Sequence, residues 1–269
     1  MKKHNSNSRI QGLCALATLC AFGLTAGTAS AQFSTIDDFE GFSDGDSIPD
    51  NSADWAGDSG VSAAEDPQDP SNTVFQFPNP SLDARNATVS DLSNGDTATM
   101  FFQFRIDDQA NLDGLNVSFG AAGGGNTFDD LNAALSISND IRYFDGSGFG
   151  TAVANGDVAL GTTYSTWLVL TQGSGGNGSY DLYLEEGRTA SRGAAIASNI
   201  TFHNDATSEV DSFVLKAGGG QSNVDATFLD NIYFDNTGDN AVNPVPEPSA
   251  YALVAGVVAL LGLAVQRRR

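Results

Sequence analysis

Between Phe33 and Phe234 the chain is built from short apolar runs, rich in β-branched and aromatic residues, set apart by clusters of Gly, Asn, Asp and Ser. Runs of this length with period-two alternation are strands, and no stretch here repeats at the period of a helix. The pattern predicts strands over 33–39, 73–77, 87–90, 97–106, 115–120, 133–138, 141–144, 164–171, 180–185, 200–202, 210–216 and 227–234. Turns fall at Asn94-Gly95, Asp145-Gly146 and Asn155-Gly156, pairs suited to the positive φ of tight hairpins. Alternation also assigns faces. In 99–106, Met100, Phe102, Phe104 and Ile106 share one side, and Phe101, Gln103 and Arg105 share the other. In 180–185, Tyr180, Leu182 and Leu184 oppose Asp181, Tyr183 and Glu185. Trp167-Leu168-Val169-Leu170 is apolar on both faces, as in a strand covered on both sides. So many short strands without a helix predict an all-β fold, a two-sheet antiparallel β-sandwich over 32–237.

Two apolar stretches flank this region. Lys2, Lys3 and Arg9 precede the uncharged run 12–26, and Ala29-Ser30-Ala31 closes it with a small-residue cleavage pattern. Residues 1–31 therefore read as a signal peptide, with the mature chain starting at Gln32. Both cysteines, Cys14 and Cys20, lie in it, so the exported part has neither disulfide nor thiolate. At the other end 238–245 reads as a polar linker. Pro246-Glu247-Pro248 then makes a stiff break, 249–265 is an uncharged apolar run, and Arg267-Arg268-Arg269 follows. As a helix that run spans roughly 25 Å, against about 30 Å of hydrocarbon. It reads as a short transmembrane helix with snorkelling arginines and a cytoplasmic C-terminus.

The order of Pro246-Glu247-Pro248, hydrophobic helix and basic cluster over 246–269 resembles the PEP-CTERM sorting signal of Gram-negative bacteria. The resemblance implies an exosortase-type processing enzyme as partner and membrane contact through the helix before processing. It also implies export through the inner membrane to the cell envelope, cell surface or extracellular matrix. An ordinary tail anchor shares the helix and the basic end.

Charge narrows the function classes. Apart from Glu247, the acidic residues lie between the two apolar ends, 32 of them against six basic residues: Arg85, Arg105, Arg142, Arg188, Arg192 and Lys216. A net charge near −26 repels nucleic acid and anionic membrane, and it attracts divalent cations. Nucleic acid is excluded as a partner.

The phrases DDFEGF (37–42), TMFFQFRID (99–107), STWLVLTQG (165–173), GSYDLYLEE (178–186) and TFLDNIYFDN (227–236) resemble the concanavalin A-like or laminin G-like jelly roll. A galactose-binding-like jelly roll would open and close in much the same way. Simple alternation puts Asp230 on the face of Phe228, Ile232 and Phe234, where a carboxylate needs a counter-charge, a metal or a sheet end. The resemblance implies calcium clipping the first and last strands, with Glu40 and either Asp37 or Asp38 meeting Asp230. Sugar rings stack on aromatics beside polar groups, which nominates Tyr183 with Asp181 and Phe101 with Arg105. Gly173-Ser174-Gly175-Gly176-Asn177-Gly178 matches a dinucleotide fingerprint in letters only, because a strand follows it rather than a helix. His203 is the one histidine after the signal peptide, with no catalytic pattern around it. The expectation is a non-catalytic module associated with exopolysaccharide or adhesion. The alternative is a jelly-roll glycoside hydrolase or polysaccharide lyase.

Overall fold

The computed structural model describes residues 33–76, 83–86, 92–107, 115–120, 131–138, 140–146, 148–154, 157–203, 210–217 and 227–245. The predicted signal peptide, the strand over 87–90, the Asn155-Gly156 turn, the sorting motif and the transmembrane helix lie outside these residues. Among the described residues no helix is long and apolar enough to cross a membrane.

Two antiparallel sheets carry the fold, as predicted. The eight-stranded sheet runs β13 (Ala197–Thr201), β12 (Gly178–Glu186), β11 (Thr163–Gln172), β6 (Thr97–Ile106), β15 (Thr227–Asp235), β4 (Asp69–Gln76) and β3 (Ser62–Asp66). β1 (Ser34–Asp37) also pairs with β15, so the first and last strands lie side by side. The seven-stranded sheet runs β10 (Gly148–Val153), β9 (Ile141–Asp145), β8 (Leu131–Ile137), β7 (Leu115–Gly120), β14 (Ser212–Ala217), β5 (Asp83–Asn86) and β2 (Trp55–Gly57). The only helix among the described residues longer than a 3-10 turn is α1 (Ile48–Asn51), one turn with Pro49 in its first positions.

The core forms where the alternation puts it. Met100, Phe102, Phe104, Leu168, Leu170, Leu182, Leu229 and Phe234 of one sheet meet Val117, Phe119, Leu135, Ile137, Phe213 and Leu215 of the other. Tyr180 crosses this core and donates its hydroxyl to the carbonyls of Ala134 at 2.9 Å and Phe144 at 2.7 Å. A buried hydroxyl needs such partners.

Strict alternation fails at one place, and the failure matters. Asn231 adopts φ +54°, and the register of β15 against β6 shifts between Asp230 and Tyr233. This bulge lets Leu229, Ile232 and Phe234 all face the core, while Phe228, Asp230 and Tyr233 pair with Arg105, Gln103 and Phe101 on the outer face. Asparagine tolerates the left-handed region, and bulges re-aim side chains. Asp230 therefore does not share a face with Ile232 and Phe234.

The outer face of the eight-stranded sheet is not bare. Thr99, Phe101, Gln103, Ser165 and Trp167 point away from the core yet are fully buried. Phe33 packs edge-on against Phe101 and Tyr233. The loop after β12 and the segment Gly238–Val245 lie over the rest. The segment read as a linker is thus a strap on the domain. Gly238 (φ +148°) supplies a backbone bend that other residues rarely adopt where the chain leaves β15, and its carbonyl accepts the Thr99 hydroxyl at 2.8 Å.

Candidate active site on the outer face of the eight-stranded sheet

At the open end of this face the strands gather an ionic cluster. Asp66 ends β3, just before the Pro67-Gln68 turn into β4, and its side chain is 1% exposed. Its Oδ1 accepts Arg105 Nη1 at 2.7 Å and the Gln68 backbone N–H at 2.8 Å. Its Oδ2 accepts Arg188 Nη2 at 2.9 Å. Arg105 is held in turn by both oxygens of Asp107, at 2.6 and 3.1 Å, and lies over the Phe228 ring at 5.0 Å. This arginine is sealed in, whereas the Arg188 side chain, on the loop after β12, is 36% exposed.

Asp230 joins the cluster through shared donors. Asn72 Nδ2 donates to Asp230 Oδ2 at 3.0 Å and to Asp66 Oδ2 at 3.4 Å. Arg188 Nη2 lies 3.5 Å from Asp230 Oδ2. The other oxygen of Asp230, Oδ1, is buried without a hydrogen-bond partner among the described residues. Burial pushes the Asp230 carboxyl up to about 7, against the pull of the Asn72 hydrogen bond, the Arg188 charge and the Asn231 backbone N–H, and Glu40 adds to the rise. A small hollow of about 10 Å³, room for about one water, is lined by Asp66, Gln103, Arg105, Arg188 and Asp230. Neighbouring Gln103 donates to Ser165 Oγ at 3.0 Å and to the Arg188 carbonyl at 2.6 Å, and accepts Asn231 Nδ2 at 3.1 Å. The result is two carboxyl groups on common donors. Asp66 is bound by two arginines, and Asp230 is a weak acid poised near neutrality.

The predicted calcium ligands are engaged by other groups, although Glu40 lies close enough to Asp230 to raise its carboxyl. Asp37 accepts the Phe39 backbone N–H and the Trp55 indole N–H at 2.8 and 2.7 Å. Asp38 accepts the Glu40 N–H, and Glu40 accepts the Thr73 N–H. Asp230 already faces Arg188, a cation taken from the few basic residues. Among the described residues no three acidic, histidine or cysteine side chains converge as a metal set. Differential scanning calorimetry in calcium and in chelator tests the clip: a midpoint that rises in calcium supports it, and an unchanged midpoint removes it.

The predicted sugar platform divides. Phe101 is buried against Trp167 at 5.0 Å, and Arg105 is sealed by Asp66 and Asp107, so neither is an exposed contact. Their faces follow from alternation, but the cover over them comes from distant segments. Tyr183 keeps partial exposure beneath Arg192, 4.2 Å from its ring centre, and Asp181 accepts the Asn199 N–H at 2.7 Å. Asp66 was missed because Asp66-Pro67-Gln68-Asp69-Pro70 reads as an acidic loop; the available signal was the short Ser62–Asp66 run before it. The His203 ring lies near Phe144, and its backbone N–H bonds the Asn132 carbonyl. The glycine-rich 173–178 segment is the β11–β12 hairpin, as read.

No protein-family model matches the chain, and no curated protein matches it. Solved structures share its sandwich. An alginate lyase of Aplysia kurodai is 13% identical, with TM-score 0.42, over 68% of this chain and 89% of that one. An endo-β-1,4-glucuronan lyase of Trichoderma reesei is 16% identical, with TM-score 0.43, over 70% and 90%. A Trypanosoma rangeli sialidase is 11% identical, with TM-score 0.40, over 62% of this chain and 26% of the sialidase. At these values the likeness is one of architecture, and it assigns no residue. The two lyases and the sialidase are enzymes, which runs against the expectation of a non-catalytic module, and at these values nothing of their activity passes to this chain.

Proposed function

We propose that the protein is an exported jelly-roll enzyme acting on extracellular polysaccharide, with Asp230 as its acid–base group. The observation that carries this is Asp230 itself: a carboxyl 5% exposed, one oxygen unpaired, pushed to about 7, on the same donors as Asp66. Carboxyl pairs whose environments set them apart are the usual acid and base of glycoside hydrolysis. A group titrating near neutrality can both give and take a proton at working pH. The strongly acidic domain repels polyanions at long range, which favours a neutral or weakly charged glycan and hydrolysis. Elimination from a uronan is the second reading, favoured by the part-exposed Arg188 guanidinium, which suits a uronate carboxylate in bidentate geometry. The PEP-CTERM-like tail supports export to the cell envelope or matrix, with an exosortase-type enzyme as processing partner.

Incubation of the full chain with soluble β-glucan, arabinan and alginate tests the reading. New reducing ends without ultraviolet absorbance mean hydrolysis, and an absorbing unsaturated uronate means elimination. Turnover that survives unchanged in Asp230→Asn would remove the site from consideration.

A further inference from the structure

The strap Gly238–Val245 is held in an unusual way. No residue of it is buried, and Val242, its bulkiest side chain beside Val245, is 51% exposed. None of its side chains is an apolar anchor, Pro244 and Val245 being only half-buried, and the contacts that fix it are polar. The Asn240 N–H donates to Thr99 Oγ1 at 2.9 Å, and the Val242 carbonyl accepts the Trp167 indole N–H at 3.1 Å. Asn243 Nδ2 donates to the carbonyls of Arg188 at 2.9 Å and Ala190 at 3.0 Å. Arg192 Nη1 reaches Asp239 at 2.6 Å. Hydrogen bonds contribute little net stability when water can replace them, so a segment without an apolar anchor belongs to the low-stability end of a fold.

What lies beneath is the opposite. Trp167, Thr99 and Ser165 are fully buried, with Tyr183 at the margin. Aromatic rings interleaved with neutral hydroxyls and an indole donor bind an extended, polar, uncharged chain. The strap is such a chain apart from Asp239, and so is a neutral glycan. Beside the strap Ser165 Oγ accepts Gln103 Nε2 at 3.0 Å and donates to the Gly187 carbonyl at 2.7 Å, and Gln103 lines the Asp66–Asp230 hollow, so the Gly187-Arg188 turn is what separates the floor of the strap from the hollow.

We propose that the face beneath the strap is a saccharide-binding groove beside the catalytic hollow, and that Gly238–Val245 occupies it until a polysaccharide displaces it. The ligand class is a neutral glycan, bound by stacking on Trp167 and Tyr183 and by hydrogen bonds from the Trp167 indole and the Thr99 hydroxyl, the two donors the strap now takes. This rests on the enzyme reading, whose site it extends.

Amide exchange read by mass spectrometry on the full chain, with parallel binding of soluble β-glucan, arabinan and alginate, tests it. Strap amides are expected to exchange at least about tenfold faster than those of β6 and β11. Asn240→Ala with Asn243→Ala is expected to keep the thermal midpoint and to bind the glycan on the order of tenfold tighter, since the competitor has lost two anchors. Asn243→Ala alone serves if the pair does not fold. A glycan that binds should speed exchange in the strap and slow it in β11. Strap amides as slow as those of β11 overturn the proposal. Equal affinity in parent and variant overturns the strap as competitor and leaves the enzyme reading standing. Binding and turnover in neither overturn both.

Discussion

Asp230→Asn is expected to cut polysaccharide turnover by about 10²–10⁴-fold, the usual worth of a positioned acid–base group, while making the folded protein more stable in alkali. The second half follows from linkage. The carboxyl titrates at 3.8 in its ordinary setting and at about 7 in the folded chain, chiefly because of burial. Below pH 4 both forms hold the proton, and the acid contributes its full share of stability. As pH rises from 4 to 7 the unfolded chain releases its proton and the folded chain keeps it, so stability is lost at about 1.4 kcal/mol per pH unit. By pH 8 the loss is on the order of 4 kcal/mol, and the folded protein carries a buried carboxylate with one bare oxygen. Asparagine is neutral throughout and can keep an oxygen toward Asn72 and Arg188. The midpoints of parent and variant should nearly coincide at pH 4 and separate above pH 7, with Asp230→Asn higher. Arg188, Asn72, Asp66 and Glu40 face the carboxyl from the loop after β12, β4, β3 and the β1–α1 connection. A parent that is the more stable of the two at pH 8 would mean that Arg188 and Asn72 fully compensate the carboxylate, leaving no poised acid. Loss of activity together with gained stability is the signature of a group kept for chemistry.

That trade-off was half legible in the sequence. A carboxylate amid the apolar residues of 227–234 announces a cost, and so few basic residues suggested a metal to meet it. The structure meets it with Arg188, which lies 42 positions from Asp230 and which no local pattern connects to it. The bulge at Asn231 hid the face, because alternation is blind to one left-handed residue. Strands with long apolar or β-branched runs were readable: β6 and β7 have the predicted bounds, and β11, β12 and β15 differ by a residue or two at their ends. β2, β3 and β10 were not, since Trp55-Ala56-Gly57, Ser62–Asp66 and Gly148–Val153 are rich in Gly, Ala and Ser and become strands through their neighbours. The strap has the same origin. Its composition is that of a linker, and only the tertiary placement of Trp167, Thr99 and the Arg188 carbonyl turns it into a cover.

The two arginines on Asp66 should separate cleanly by burial. Arg105→Ala is expected to destabilise the fold by about 3–5 kcal/mol, the cost of breaking a buried ion pair from one side, lowering the midpoint by roughly 10 °C for a domain of this size. The side chains of Arg105 and Asp66 are 4% and 1% exposed, so water cannot replace the lost charge, and the stack on Phe228 disappears with it. Arg188→Ala removes a partner of the same carboxylate from a side chain 36% exposed, and its cost in stability should stay near 1 kcal/mol. Its effect belongs to the pH profile instead. Arg188 holds the Asp230 carboxyl down, so its loss should move the Asp230 titration further up, and the activity profile with it. Thermal unfolding and pH–rate curves of the two single variants, with the double variant to complete the cycle, would check the division. Equal destabilisation by both would show that the cluster is a structural clamp throughout. A large cost at Arg105 with a shifted profile at Arg188 assigns one arginine to the fold and the other to the chemistry. The same carboxylate then serves as the link that holds Asp230 in register with both.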